Sequence, residues 1–253
     1  MYQRLIQKSG IFSIFACLAF QVSAEALPPI PDGYKPETPS GHNDGGRRDS
    51  CPRLELEPPM TTLTPGVYNR GGLTQAAQPA LWLYLPFDIP SDTSPEPAIQ
   101  LTIKKTTGDF ETIFEATFVA PDLQQGFVGI PLSSTEVVLP LDEPLEWTFK
   151  LYCGGIEDIS EERAPYFVKA WITRIDSSTL AQPLPETTSV QDLSEAYRDS
   201  ALWYDALGVL GESILEASPA TNTRSLWRQL LVDGGFEAIA NEPHIQYLTI
   251  PAE

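Results

Sequence analysis

Leu145-Glu146-Trp147-Thr148-Phe149-Lys150-Leu151-Tyr152-Cys153 alternates in a way only one regular structure uses. Leu145, Trp147, Phe149, Leu151 and Cys153 fall on one side, with Glu146, Thr148 and Lys150 opposite. A period of two sustained over this length predicts a β-strand with one face in a core and the other in water. It also puts Cys153 on the core side. Upstream, Phe110 to Val119 (FETIFEATFV) repeats the pattern: Phe110, Thr112, Phe114, Ala116 and Phe118 share a face opposite Glu111 and Glu115. Further strands are predicted at Arg53–Leu56, Ala80–Leu85, Ala98–Lys104, Phe127–Leu132 and Tyr166–Ile175. They are short, punctuated by Pro, Gly and Asp, and have no helical stretch between them. That combination predicts an antiparallel β-sandwich over residues 51–176. An immunoglobulin relative is not implied, because Trp147 shares a strand with Cys153 instead of lying on its own strand between two cysteines.

Beyond a polar connection the period changes. Ser189-Val190-Gln191-Asp192 has the form of a helix start. From there Leu193, Ala196, Tyr197, Ala201, Tyr204, Leu207, Gly211 and Ile214 recur at spacings of three and four, predicting one helix to about Ala217. A second helix is predicted over Thr223–Val232, stopped by Gly234-Gly235, with a short third over Phe236–Asn241. The fold class is therefore mainly β with α: a sandwich followed by a C-terminal helical hairpin, residues 177–253 packing on the sandwich.

The other end of the chain carries an export signal. Arg4 and Lys8 precede the apolar run Ile11–Phe20, and Val22-Ser23-Ala24 and Ala24-Glu25-Ala26 are both small–x–small cleavage sites. The apolar run is too short to cross a bilayer, and the basic–apolar–small order is that of a cleavable signal peptide, residues 1–24. Cleavage after Ala24 is expected first and after Ala26 second. The alternative, lipidation of Cys17, suffers from bulky Phe15 where a small residue is usual. Residues 25–50 are rich in Pro and Gly without an apolar period and are expected to form a linker. No later stretch approaches spanning length, so the mature chain is not expected to span a membrane, and a periplasmic or extracellular location follows.

Two expectations rest on that compartment. Losing Arg4 and Lys8 moves the formal net charge from −18 to about −20, which disfavours nucleic acid and anionic lipid as partners of a diffuse basic surface. With Cys17 removed, Cys51 and Cys153 remain, and an oxidising compartment favours a disulfide between them over two free thiols.

Chemistry is sparse. His42 and His244 are the two histidines, there is no G-x-S-x-G elbow, and neither histidine has a neighbour suggesting metal ligation. The acidic run Glu157-Asp158-Ile159-Ser160-Glu161-Glu162 is the densest carboxylate cluster, but it lacks regular calcium-loop spacing. No cofactor or metal is expected. Gly41 to Arg48 has no flanking strand and helix to make it a phosphate loop. The aromatic runs Leu81-Trp82-Leu83-Tyr84 and Trp203-Tyr204-Asp205 suit either a stacking surface or a core, and their strand and helix spacing favours core. Asp205 is expected to cap, to pair with a cation or to face solvent.

Several short segments occur in a characteristic order: Gly45-Gly46-Arg47-Arg48 ahead of Cys51; Pro79 to Pro86 (PALWLYLP); Gly129-Ile130-Pro131-Leu132; Trp147 to Cys153; Ala170 to Arg174 (AWITR); and Leu202 to Leu207 (LWYDAL). With them the chain resembles, over about residues 45–245, the domain-of-unknown-function 928 family of mostly cyanobacterial exported proteins. The stretch before Cys51 (GGRRDS) is looser than the Arg-Gly-rich run associated with the family. The resemblance implies an envelope location and no established activity or site residues. The function expected is a non-catalytic binding or structural module recognising a protein or glycan of the cell envelope. The alternatives are a glycan hydrolase using the Glu157–Glu162 carboxylates, or a docking partner of a membrane sensor.

Overall fold

The strands announced by alternation form, and they pair into two sheets. The computed structural model describes residues 27, 57–66, 71–156, 159, 166–180, 184, 186, 189–216 and 222–251. The strands are β1 (Thr61–Thr62), β2 (Gly71–Thr74), β3 (Ala80–Leu85), β4 (Ala98–Lys105), β5 (Thr112–Val119), β6 (Gly126–Pro131), β7 (Pro144–Tyr152), β8 (Tyr166–Arg174) and β9 (Ile245–Tyr247). The helices are α1 (Val190–Asp199), α2 (Trp203–Leu215) and α3 (Thr223–Asp233). One sheet has the order β1-β3-β6-β9 and the other β2-β8-β7-β4-β5. Cys51, Arg53–Leu56 and all of 25–50 except Leu27 lie outside the described residues; Leu27 is half-buried against the helical layer.

The alternation on β7 is realised as expected: Leu145, Trp147, Phe149 and Leu151 are all buried. They meet Ile99, Leu101 and Ile103 of β4, and Val168, Ala170 and Ile172 of β8, in one inter-sheet core. Across that core stand Leu81, Leu83 and Leu85 of β3 with Val128 and Ile130 of β6. Strand β3 does not alternate in polarity, because its other face is buried too. Trp82 and Tyr84 point away from the inter-sheet core and pack with Trp203, Leu207, Leu210 and Trp227 of the helices. A strand covered on both faces reads as a continuous apolar run. The result is three layers: five-stranded sheet, four-stranded sheet, helices.

The sheets are mixed, not wholly antiparallel. The central pairings are antiparallel, but β2 runs parallel to β8 and β9 parallel to β6. Parallel neighbours need a long crossover. Strands β3 to β7 supply it in one case; β7, β8 and the helices supply it in the other.

Three further expectations are corrected. Phe110 is 66% exposed and sits at φ +53 in the turn before β5, while Phe114, Ala116 and Phe118 do face the core. A register shift between Ile103 and Lys104 skips one residue of β5, so the period does not extend back to Phe110. The single helix from Ser189 to Ala217 is two helices. Ser189 caps α1 as expected, its side chain accepting from the Asp192 amide. The helix then ends with Ala201 at φ +58, Leu202 N–H donating to Tyr197 O (2.9 Å) and Ala201 N–H to Arg198 O (3.0 Å). That is a Schellman closure, usually made with glycine. Alanine in this conformation costs about 1–2 kcal/mol. Contact between Leu202 and Tyr197 in one apolar cluster offsets it. Phe236–Asn241 forms turns, not a helix, and leads into β9.

Candidate functional site

The first turn of α2 carries Trp203, Tyr204 and Asp205, and each reaches a different part of the sheets. Trp203 donates its Nε1–H to the Leu63 carbonyl just beyond β1 (2.6 Å). Tyr204 is the one residue of α1, α2 and α3 inside the inter-sheet core. Its hydroxyl accepts from Trp147 Nε1 on β7 (2.8 Å) and donates to the Trp171 carbonyl on β8 (2.9 Å). The ring can pass because β2 presents Gly72, where a Cβ would stand 2.8 Å from the Tyr204 ring. Burial pushes the Tyr204 phenol up to about 12, so it stays a neutral donor and acceptor.

Asp205 accepts from the backbone amides of Gln75 (3.0 Å) and Ala76 (3.2 Å), tying the exit of β2 to α2. Burial raises its pKa to about 6, against the pull of the hydrogen bonds from Gln75, Thr74 and Ala76. Asp205 therefore neither faces solvent nor pairs with Arg174, whose Nη1 donates to the Leu139 carbonyl (3.0 Å). Trp203, Tyr204 and Asp205 form a clamp between layers, and Trp82 and Tyr84 are likewise core residues.

A second arrangement was not legible in the sequence. Helix α3 and the segment entering β9 flank a groove of about 280 Å³. Phe127, Ile214, Trp227 and Ile245 contribute its apolar lining, and Arg224, Arg228 and Glu242 its charges. Trp227 stacks edge-on against Trp82 (5.2 Å) and Phe127 (5.4 Å), which holds it in place. The signal was a pair of arginines four apart flanking a tryptophan, in a chain with 16 cationic against 34 acidic residues. Its meaning depends on β9, which no sequence period announces.

The remaining candidates are not brought together. His244 is half-buried before β9; its carbonyl accepts from the Phe127 amide (3.0 Å), and its buried Nε2 has no partner. His42, Gly41–Arg48 and all of Glu157–Glu162 except Ile159 lie outside the described residues. Cys153 is half-buried just after β7 and is not without an interaction partner, whereas Cys51 is outside the described residues. Among the described residues no group of His, Cys, Asp and Glu is arranged to hold a metal, and no helix is long and apolar enough to cross a membrane.

Neither a curated protein nor a solved structure matches this chain. The family described as Domain of Unknown Function (DUF928) matches residues 43–244, a span holding all the sheet strands from β1 to β8, the clamp and the arginine pair, and the chain belongs to that family.

Proposed function

We propose that the protein is exported and works outside the cytoplasm as a non-catalytic binding or structural module, with a disulfide between Cys51 and Cys153. The observation that carries this reading is the clamp. The motif richest in aromatic and acidic groups, Trp203-Tyr204-Asp205, commits its polar atoms to the sheets: the Leu63 and Trp171 carbonyls, Trp147, and the Gln75 and Ala76 amides. A carboxylate and a phenol held this way serve rigidity. Export is supported by the basic–apolar–small order of the first residues. The disulfide is supported by the position of Cys153 at the end of a core strand.

The test is expression of the full chain in a bacterial host, followed by osmotic-shock fractionation. Mature protein beginning at Glu25 or Leu27, two hydrogens lighter than its reduced form, is expected in the periplasmic fraction. Cytoplasmic retention with residues 1–24 intact would sink the export reading. Purified mature protein is then offered to envelope extracts and glycan arrays, and two blanks would remove the binding arm.

A further inference from the structure

We propose that the groove between α3 and the segment entering β9 binds a carboxylate carried on a small apolar body. The proposal deepens the binding-module reading and rests on it. Arg224 and Arg228 stand one helical turn apart, so their like charges repel. Neither forms an ion pair with a described carboxylate. Arg224 gives Nη1 to the Pro243 carbonyl (2.9 Å), which orients its guanidinium without neutralising it. Arg228 is exposed. Glu242 also lines the groove, and two guanidiniums against one carboxylate leave the lining net positive, although the chain as a whole carries −18. Paired guanidiniums match the planar, two-oxygen geometry of a carboxylate.

The floor beneath the rim is apolar. Trp227 is 4% exposed and is held edge-on against Trp82 and Phe127, so it forms a fixed wall for the body of a ligand while the carboxylate is met by the arginines at the rim. Phe127, Ile214 and Ile245 then leave an apolar space for the body of the ligand, and about 280 Å³ suits an acylated amino acid better than a nucleotide or an oligosaccharide. The carboxylate has two sources, a free small acid or the C-terminal residue of a peptide.

The experiment uses the mature full chain with its tryptophans labelled with nitrogen-15 and the Trp227 indole resonance assigned. Three probes are titrated: N-acetyl-phenylalanine, its amide, and a pentapeptide ending in phenylalanine with a free carboxylate. Both carboxylates are expected to move the Trp227 indole signal, and the amide to bind at least about tenfold more weakly, the loss expected for charge-assisted hydrogen bonds. Arg228→Gln, at an exposed position, is expected to weaken the acid about tenfold with an unchanged melting temperature. A peptide much tighter than the acid points to protein C-termini as the source; equal affinities point to a free small acid. Equal binding of acid and amide, no shift up to about 10 mM, or an Arg228→Gln chain that binds normally would each overturn the proposal. Such a failure leaves the processing and fractionation result untouched, so it is distinguishable from failure of the exported-module reading.

Discussion

The clamp on α2 and the groove on α3 are built from similar residues and end in opposite states. Each sets a tryptophan near a charged side chain early in a helix. At the clamp, Trp203 has its carbonyl, Tyr204 has both a donor and an acceptor, and Asp205 has two backbone amides. At the groove, neither Arg224 nor Arg228 has a described carboxylate partner. Satisfied polar groups in a core fix one arrangement of the layers; unsatisfied ones at a surface groove are where a ligand gains most. The difference separates scaffold from site within one helical layer.

The largest way to break this comparison is to remove what the two regions share. Trp82 lies against Gly211 of α2 and Gly129 of β6, and Trp227 stacks on it. A Cβ at Gly211 would overlap the Trp82 ring. Gly211→Val is therefore expected to cost more than about 3 kcal/mol by overpacking, and most of the protein should be insoluble. Soluble material melting like the parent would refute the close contact.

Next in size is Tyr204→Phe. It leaves the Trp147 indole and the Trp171 carbonyl without their shared partner inside the core, at a cost of about 2–4 kcal/mol. Urea unfolding monitored by tryptophan fluorescence measures it. A loss below about 1 kcal/mol would mean that the hydroxyl does not bridge the two strands.

Asp205 adds a pH signature to the clamp. Its folded pKa is raised from 3.8 to about 6, chiefly by burial, so the folded state holds the proton more tightly than the unfolded chain. The resulting stability is fully present below about 3.8 and is lost as the pH rises through about 6, a change of about 3 kcal/mol from this group. The difference between the unfolding free energies of the parent and Asp205→Asn should change by about that amount in total between pH 4 and 7. Parallel curves would show that the carboxylate does not titrate in a buried setting. The smallest effect belongs to the groove: Arg228→Gln should change stability by less than about 0.5 kcal/mol. A larger loss would make Arg228 part of the scaffold.

How far these features were legible follows from the lengths and neighbours involved. Strands β4, β7 and β8 are long and alternate, and β3 is apolar throughout, so their existence could be read directly. Strands β2 and β9 are short and half-polar or glycine-containing, and their parallel pairing depends on partners distant in the chain. The two helix ends make the same point. Helix α3 closes with Gly235 at φ +86, and Gly234-Gly235 announced that stop. Helix α1 closes in the same hydrogen-bonded way with Ala201, and the three–four spacing of apolar residues ran straight through it. Trp203 and Tyr204 were visible as core, but the clamp's hydrogen-bond partners were not, because they are backbone groups just beyond β1 and β2 and on β8, and the indole of Trp147 on β7. Arg224 and Arg228 were visible only as ordinary helical surface until β9 gave the groove its second wall.

Gly71 pairs with Trp171 and Phe127 with Ile245, separations on the order of 100 residues. Neither sheet can acquire its full complement of strands until most of the chain is available, and pairings of that range form slowly because long loops must close first. Until β9 arrives, β6 presents an open edge along Phe127–Gly129, and an open edge is where chains pair wrongly with one another. Refolding yield should therefore fall as protein concentration rises, and the last strand, only three residues long, sets when that exposure ends.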